Sequence, residues 1–415
     1  MHRTGAMARK KQNWGKTPWT VSFRPKVSAL PDHVDFAVVG GGFTGLSAAA
    51  WLARWGKQKS VLVLEAGPLG NGASGRTGGM ALAQTAAGDL PGLGDVLSGY
   101  RKTLRELDVK ADLSLPGVWE VARGNQSLEG NAVRPLKNSP IDWNDSGRVR
   151  AVGKVPGGSV DPGKKISGLA RAAAAAGAQI AERAEVSEIE FANPVRLQVR
   201  RTLKGRLEEK VVTADKVLLA TNAGSLELAG EIHAGREPAE PKLTFAIATA
   251  PLTRKQIAAI GLSSGRPFYS VDLPYLWGRL LKNGGLIFGS GLVPAFGESL
   301  RDRAQRSKST DLSVNNVWSG LEDFNIGRGE PAARIRSLEE RLRRIHPAMK
   351  NIKVTHRWGG PILITKKFVP VFRRHPKSTN VVVLGGYSGH GVALSVYLGK
   401  RAAEALLNKR NPANW

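Results

Sequence analysis

The sequence predicts an α/β (α+β) fold, and three observations predict it. Near the start, an apolar run, Asp35-Phe-Ala-Val-Val39, meets Gly40, Gly42 and Gly45. A small-residue segment, Ser47 to Trp55, follows and stops at Gly56, and a second apolar run, Val61 to Leu64, ends on Glu65. Near the end the same pattern returns: Asn380-Val-Val-Val-Leu384 runs into Gly385-Gly-Tyr-Ser-Gly-His-Gly391, and a helical segment continues to Leu407. Between them, from about 240 to 350, short runs with a turn at Asn283-Gly284 read as antiparallel strands. Together these describe a Rossmann-like nucleotide-binding domain, discontinuous in sequence, that encloses a second, antiparallel-sheet domain. The expected division gives 32–90, 151–235 and 350–410 to the first and 91–150 and 236–349 to the second. Residues 1–31 are expected as a disordered or surface arm.

Each element of the opening motif has a physical reason. Gly40 allows a turn that a side chain would obstruct, Gly42 lets the backbone approach a pyrophosphate, and Gly45 lets a helix sit close to its strand. Free N–H groups and the helix dipole favour negative charge at the helix start. Glu65, at the tip of the second strand, is placed to accept hydrogen bonds from ribose hydroxyls. A glycine-rich turn of structural role only is the alternative.

A second cluster follows, Gly70-Asn-Gly-Ala-Ser74-Gly-Arg76-Thr77-Gly-Gly79-Met80, suited to backbone that passes close to a flat or extended ligand. Arg76 and Thr77 are candidate donors to phosphate or ring oxygens. Val96 to Leu107 reads as a helix and Leu113 to Val121 as a strand; the polar stretch to Arg150 reads as loop-rich. Asp161-Pro162-Gly163 starts a helix that ends at Gly177. A β-meander leads to a buried strand ending in Ala220-Thr221-Asn222-Ala223-Gly224, and such strand ends meet ligands in open α/β sheets. Helices are expected near Ser313 to Phe324 and Glu330 to Ile345. In the second of these Ile335, Leu338, Leu342 and Ile345 share one face and the charges the other.

The chain has 415 residues, 41% of them hydrophobic, and no cysteine. Disulfides, zinc-thiolate sites, iron–sulfur clusters and cysteine-linked cofactors are therefore excluded, and no metal site is assigned. A reducing, cytoplasmic location fits this composition. No apolar run approaches the roughly 20 residues needed to span a bilayer, and the basic N-terminus lacks the apolar stretch of a secretory signal. The net charge is +27. Its densest stretches, Arg301 to Lys308 and Arg334 to Arg344, lack an interleaved aromatic platform, so a solvated face is favoured over nucleic-acid contact.

A nicotinamide needs one glycine turn. This chain has three small-residue strand ends, at 40–45, 220–224 and 385–391, plus the cluster at 72–80. That suits FAD, which lies extended and needs close backbone approach along its length. The helix opened by 385–391 would aim its positive end at the ring edge that becomes negative on reduction.

The motifs Val38-Val-Gly-Gly-Gly-Phe-Thr-Gly-Leu-Ser-Ala-Ala-Ala50, Leu64-Glu-Ala66, Gly72-Ala-Ser-Gly-Arg-Thr-Gly-Gly79, Asp161-Pro162, Val186, Ala220-Thr-Asn-Ala223, Trp358-Gly359 and Gly385-Gly-Tyr-Ser-Gly-His-Gly391 occur in the order seen in one family. The chain resembles the FAD-dependent amine and amino-acid oxidases of the D-amino-acid oxidase superfamily over about residues 33 to 407. It is most similar to γ-glutamylputrescine oxidases and related amine oxidases. The resemblance implies non-covalent FAD, held by Gly40, Gly42, Phe43, Thr44, Gly45, Glu65, Ala66, Ser74, Arg76, Thr77, Gly78, Gly79, Met80, Val186, Ala220, Thr221, Asn222, Trp358, Gly386, Gly389, His390 and Gly391. It implies oxidation of a C–N bond in an amine or amino-acid-like small molecule by hydride transfer to flavin N5. The imine is then hydrolysed, and oxygen or another acceptor reoxidises the flavin, oxygen giving hydrogen peroxide.

Two departures bear on the substrate. Gly360-Pro361 stands where amino-acid-specific members often carry an arginine that clamps the substrate carboxylate, and Thr365-Lys366-Lys367 stands where an Asp is common. The first favours an amine. Candidate catalytic residues are His390 in the flavin-facing turn, Tyr275 in the substrate cavity with Trp277 and Arg279 beside it, and Lys282 as a local positive charge for oxygen. Two other readings stay open at this point: an FAD-dependent tRNA-nucleoside-modifying oxidoreductase, which the charge would suit, and a non-catalytic flavin-binding protein.

Overall fold

The computed structural model describes residues 12–127, 130–203, 205–224, 239–294 and 324–412. One sheet is parallel at its centre. Strands β2 (His33–Val39), β3 (Val61–Glu65), β9 (Gln179–Glu182), β12 (Arg206–Leu219) and β19 (Ser378–Gly385) lie in the spatial order β9-β3-β2-β12-β19, all parallel. Strand β18 (Val371–His375) closes one edge antiparallel to β19. Strands β10 (Ala184–Glu190) and β11 (Val195–Leu203) pair antiparallel with the first half of β12 and form the expected meander.

Alternation decides the faces. Phe36, Val38, Val61 and Val63 enter one core with helices α1 (Phe43–Trp55), α3 (Val96–Glu106), α4 (Pro162–Ala175) and α7 (Gly391–Leu406). Ala37, Val39, Leu62 and Leu64 enter another with the meander residues Val186, Val195, Leu197 and Val199. The small residues of α1 have a packing role. Ser47, Ala48, Ala49 and Ala50 are fully enclosed, and a Cβ on Gly399 would come 2.7 Å from Thr44 O. Helices α1 and α7 therefore approach closely, and Ser47 Oγ donates to Val396 O at 2.8 Å. That contact joins the two ends of the sequence into one layer.

The second sheet has nine strands: β1 (Gly15–Lys16), β17 (Val354–Thr365), β13 (Ala239–Pro251), β16 (Gly285–Pro294), β15 (Trp277–Leu280), β14 (Phe268–Ser270), β5 (Val118–Ala122), β7 (Arg148–Val155) and β6 (Asp142–Asn144), in that spatial order. Helix α6 (Gly329–Arg344) buries Ile335, Leu338 and Leu342 in this sheet's core, as its periodicity predicts. Helix α5 (Arg254–Ala259) starts at a capping box formed by Thr253 and Gln256. The short helix α2 (Ala73–Arg76) and the pair β4 (Met80–Leu82) and β8 (Gly157–Ser159) lie between the two sheets in sequence.

The structure corrects several expected boundaries. Helix α3, expected in the second domain, packs Val96, Tyr100 and Leu104 into the core of α1 and α7. Strand β17, expected in the nucleotide domain, is the neighbour of β13 in the nine-stranded sheet, and β7 belongs there too. The described part of the expected surface arm is anchored. Strand β1 pairs with β17, Trp14 stacks on Phe324 at 4.1 Å, and Trp19 is 9% exposed. Apolar aromatic area, invisible as periodicity in so short a segment, ties it down. The strand expected from Leu113 begins at Val118. The helix expected over Ser313 to Phe324 lies outside the described residues except for Phe324, as does the basic stretch Arg301 to Lys308.

Helix α6 was expected to turn its charges to solvent. Arg334 pairs with Glu330 at the surface, a weak exposed pair, while Arg343 pairs with Glu339, which is buried and also receives Arg357. Arg341 instead reaches inward to Asp145, which also receives Arg123, and Arg123 in turn contacts Asp272. The two guanidiniums hold the Asp145 carboxyl below the usual carboxylate range although burial pushes it upward.

Candidate FAD site

Four sequence-distant segments meet at the carboxyl ends of the parallel strands, where an open α/β sheet takes its ligand. They are the turn after β2, the tip of β3, the end of β12 and the turn after β19. The first turn is held by close packing. Gly40 has φ +108, and a Cβ there would come 2.7 Å from Ala220 O. A Cβ on Gly45 would overlap Gly40 O. Gly42 precedes α1 without any side-chain cap, and Phe43 N–H donates to Ser74 Oγ at 3.0 Å. This leaves a helix start lined by backbone N–H and one hydroxyl, the donor set that a diphosphate takes.

Glu65 is oriented by backbone. Its carboxylate accepts from Gly41 N–H at 2.8 Å and from Gly67 N–H at 2.9 Å. Burial pushes its pKa above the usual range despite these donors. The acid at the tip of β3 is thus fixed beside the glycine turn. Ala66 follows it on the surface, and Val186 lies buried at a register shift in β10.

The cluster at 70–80 is braced from behind. Trp19 Nε1 donates to Gly75 O at 2.7 Å and Trp358 Nε1 to Arg76 O at 2.9 Å. A Cβ on Gly78 would overlap the Trp277 ring, and Gly79 has φ +78. Arg279 donates to the carbonyls of Gly78 and Val160. Arg279, expected to line a substrate cavity, is 6% exposed and holds the cradle backbone instead. Trp277 packs on Gly78 and Gly289. Arg76 reaches Asn71 through Nε and Nη2 and lies over the Trp14 ring, and burial lowers its pKa to about 10. Thr77 Oγ1 accepts from Gly79 N–H at 3.3 Å, and Met80 opens β4 opposite Ser159.

The last turn is held by side chains. Asn222, at φ 49 just past Ala220 and Thr221, accepts the Gly386 N–H at 2.9 Å. Ser388 Oγ accepts from Thr365 N–H at 3.1 Å. Tyr387 and Thr44 share a buried hydrogen bond of 2.7 Å that ties the turn after β19 to the first turn of α1. Gly389 has φ +90 and open space where a Cβ would stand. His390 precedes Gly391 at the start of α7, and its Nδ1 lies 3.5 Å from Ser388 O. Burial lowers the His390 pKa to about 4, so its imidazole is neutral near pH 7.

Of the three expected catalytic residues, the structure places His390 in this turn. Tyr275 sits in the loop before β15, its carbonyl accepting from Ser290 Oγ at 2.9 Å. Burial pushes its phenol up to about 12. Lys282 is not brought to the site. Its ammonium is 84% exposed in the β15–β16 turn and lies 3.8 Å from Asp112. Two residues escaped sequence reasoning. Tyr387 lay within a quoted motif without a role. Lys165 is fully enclosed, and its signal was available: it shares the buried face of α4 with Leu169 and Ala172.

The residues present fit FAD: a glycine cradle a Cβ would fill, an acid beside it, and a second helix start at the far end. When bound, FAD supplies two-electron redox chemistry, and the protein supplies orientation and electrostatics.

The chain is similar to known proteins. The chain is 27% identical over 406 residues to the γ-glutamylputrescine oxidoreductase of Escherichia coli, covering 90% of this chain and 83% of that one. It is 26% identical over 411 residues to the probable oxidoreductase OrdL of Haemophilus influenzae, covering 91% and 83%. Among solved structures, an L-amino acid deaminase from Proteus vulgaris matches with a TM-score of 0.66 at 16% identity over 94% of this chain and 97% of that one. A glycine oxidase from Geobacillus kaustophilus matches with 0.63 at 17% identity over 92% and 96%. Among the described residues no helix is long and apolar enough to cross a membrane. The family model described as FAD dependent oxidoreductase matches residues 35–405, and the chain belongs to that family.

Proposed function

We propose that this enzyme oxidises the C–N bond of an amine that lacks an α-carboxylate. The observation that carries the reading is position 360. A carboxylate clamp after Trp358-Gly359 needs a long cation there, and the chain has Gly360. The space a side chain would enter is filled: a Cβ on Gly360 would come 3.1 Å from Arg76 Cβ. The Arg76 guanidinium turns away to Asn71 and Trp14. Neither residue offers the bidentate fork that selects α-amino acids.

The cradle at Gly40, Gly42, Ser74 and Gly386 would hold FAD, which when bound would supply the two-electron oxidation of the substrate C–N bond to an imine. Water then hydrolyses the imine to a carbonyl compound and the departing amine or ammonia. Oxygen, or another two-electron acceptor, would take up the two electrons, oxygen giving hydrogen peroxide. The uncapped start of α7 would stabilise negative charge on a cofactor held against it. His390, neutral near pH 7, contributes no competing charge.

Anaerobic mixing of the FAD-loaded protein with polyamines, γ-glutamyl amines, N-methyl amino acids and proline-like imino acids tests this. Amines without an α-carboxylate are expected to bleach the flavin fastest. Bleaching by α-amino acids alone would overturn the substrate class, and bleaching by none would overturn the reaction.

A further inference from the structure

Lys165 is a buried amine for which the cofactor cradle as described gives no reason. It lies in the first turn of α4 and is 0% exposed. Its Nζ donates to Val392 O at 2.6 Å, stands 3.5 Å from the Phe43 ring centre and 5.2 Å from that of Tyr100. The elements packed on it present Phe43 from α1, Tyr100 from α3 and Val392 from α7. Of these only Tyr100 titrates, and its hydroxyl is itself buried without a hydrogen-bond partner. Burial holds the Tyr100 phenol well above its usual range.

An enclosed ammonium with one carbonyl acceptor is unfavourable unless something else compensates its charge. Its surroundings indicate what that is. Phe43 opens α1 at the cradle, and its N–H reaches Ser74. Val392 is the second residue of α7, next to Gly391. Lys165 therefore stands behind both helix starts that converge on the anionic cofactor. The two aromatic rings and the carbonyl position it without neutralising it.

We propose that Lys165 is the counter-charge of the cofactor site, and that FAD binding is coupled to uptake of a proton at Lys165. In the cofactor-free protein desolvation lowers the lysine pKa well below its ordinary value. The diphosphate brings negative charge into a weakly screened region and raises that pKa again. The sign follows by linkage. A group whose pKa is raised on binding strengthens binding fully below its free-protein pKa, and that gain is lost as pH rises through its pKa in the loaded protein.

The test uses the full-length protein stripped of FAD and retitrated with FAD from pH 7 to 10, a range in which His390 does not titrate. Calorimetry in buffers of different ionisation enthalpy counts the protons. For the wild type, affinity is expected to fall by up to about tenfold per pH unit over part of this range, with net proton uptake. Lys165→Met, which keeps the length of the side chain, is expected to bind FAD about tenfold or more weakly at pH 7, with the slope and the uptake gone. Lys165→Arg is expected to hold its charge throughout and to bind FAD without proton uptake. A wild type that binds FAD with neither slope nor proton uptake overturns the proposal, as does a Met variant that keeps both. Should the Met variant fail to fold, the wild-type proton count decides alone.

Discussion

The two glycine turns at opposite ends of the chain look alike in sequence and are built differently. The turn after β2 is held by exclusion: Gly40 and Gly45 have backbone atoms where a side chain would go. The turn after β19 is held by donors and acceptors: Asn222 takes the Gly386 N–H, Ser388 takes the Thr365 N–H, and Tyr387 reaches Thr44. Its Gly389 faces open space. The first geometry leaves little freedom, which suits a diphosphate of fixed shape. The second leaves open space at Gly389.

The contrast can be broken at defined points. The largest effect is expected at the packed turn. Gly45→Val drives a branched side chain into Gly40 O and is expected to destabilise the fold by on the order of 3 kcal/mol or more. A thermal melt and the flavin content of the purified protein measure it, and a variant that melts normally and retains flavin would contradict the exclusion account.

At the bonded turn the next effect is one of pH. The His390 pKa lies near 4 against an ordinary 6.5. A depressed pKa gives stability that is complete above pH 6.5 and is lost as pH falls toward 4. For a partly exposed side chain the loss is at most about 3 kcal/mol. His390→Asn is expected to flatten the fall in melting temperature over that window, and an unchanged acid limb would assign the loss to other groups.

Asn222→Ala removes the acceptor of the Gly386 N–H and places alanine at a positive φ. A cost of about 2 kcal/mol is expected, together with a shifted flavin spectrum, because the turn over the ring loses its anchor. Tyr387→Phe is the mildest, about 1 kcal/mol, since only the bond to Thr44 is lost. If Tyr387→Phe released FAD more readily than Asn222→Ala did, the link between the turns would matter more than either turn.

Much of the site was legible because its signals are local. A glycine that must adopt φ +108, as Gly40 does, has few substitutes, so the requirement is written at that position. Glu65 stands where expected, at the tip of β3, because strand length and pleat set where the acid at a strand tip must stand. The period-two runs of β2 and β3 and the helical stripe of α6 were read the same way. Arg279 and Lys282 were not legible. Both are cations at the β15 hairpin, and only tertiary contacts separate the one buried against Gly78 from the one paired near Asp112 at the surface. Helix α3 shows the same limit: its amphipathic stripe says that it packs but not on which layer.

The sequence by itself determined that this chain is an α/β nucleotide-binding protein with cradle segments at both ends. Backbone conformation and periodicity depend on near neighbours, and each motif carries its own constraint. Only the tertiary structure decided the partners: Asn222 with Gly386, Tyr387 with Thr44, Trp19 with Gly75, and Lys165 enclosed between Phe43 and Val392. Such pairings depend on how layers stack and on which polar groups are left without water. No local pattern encodes either.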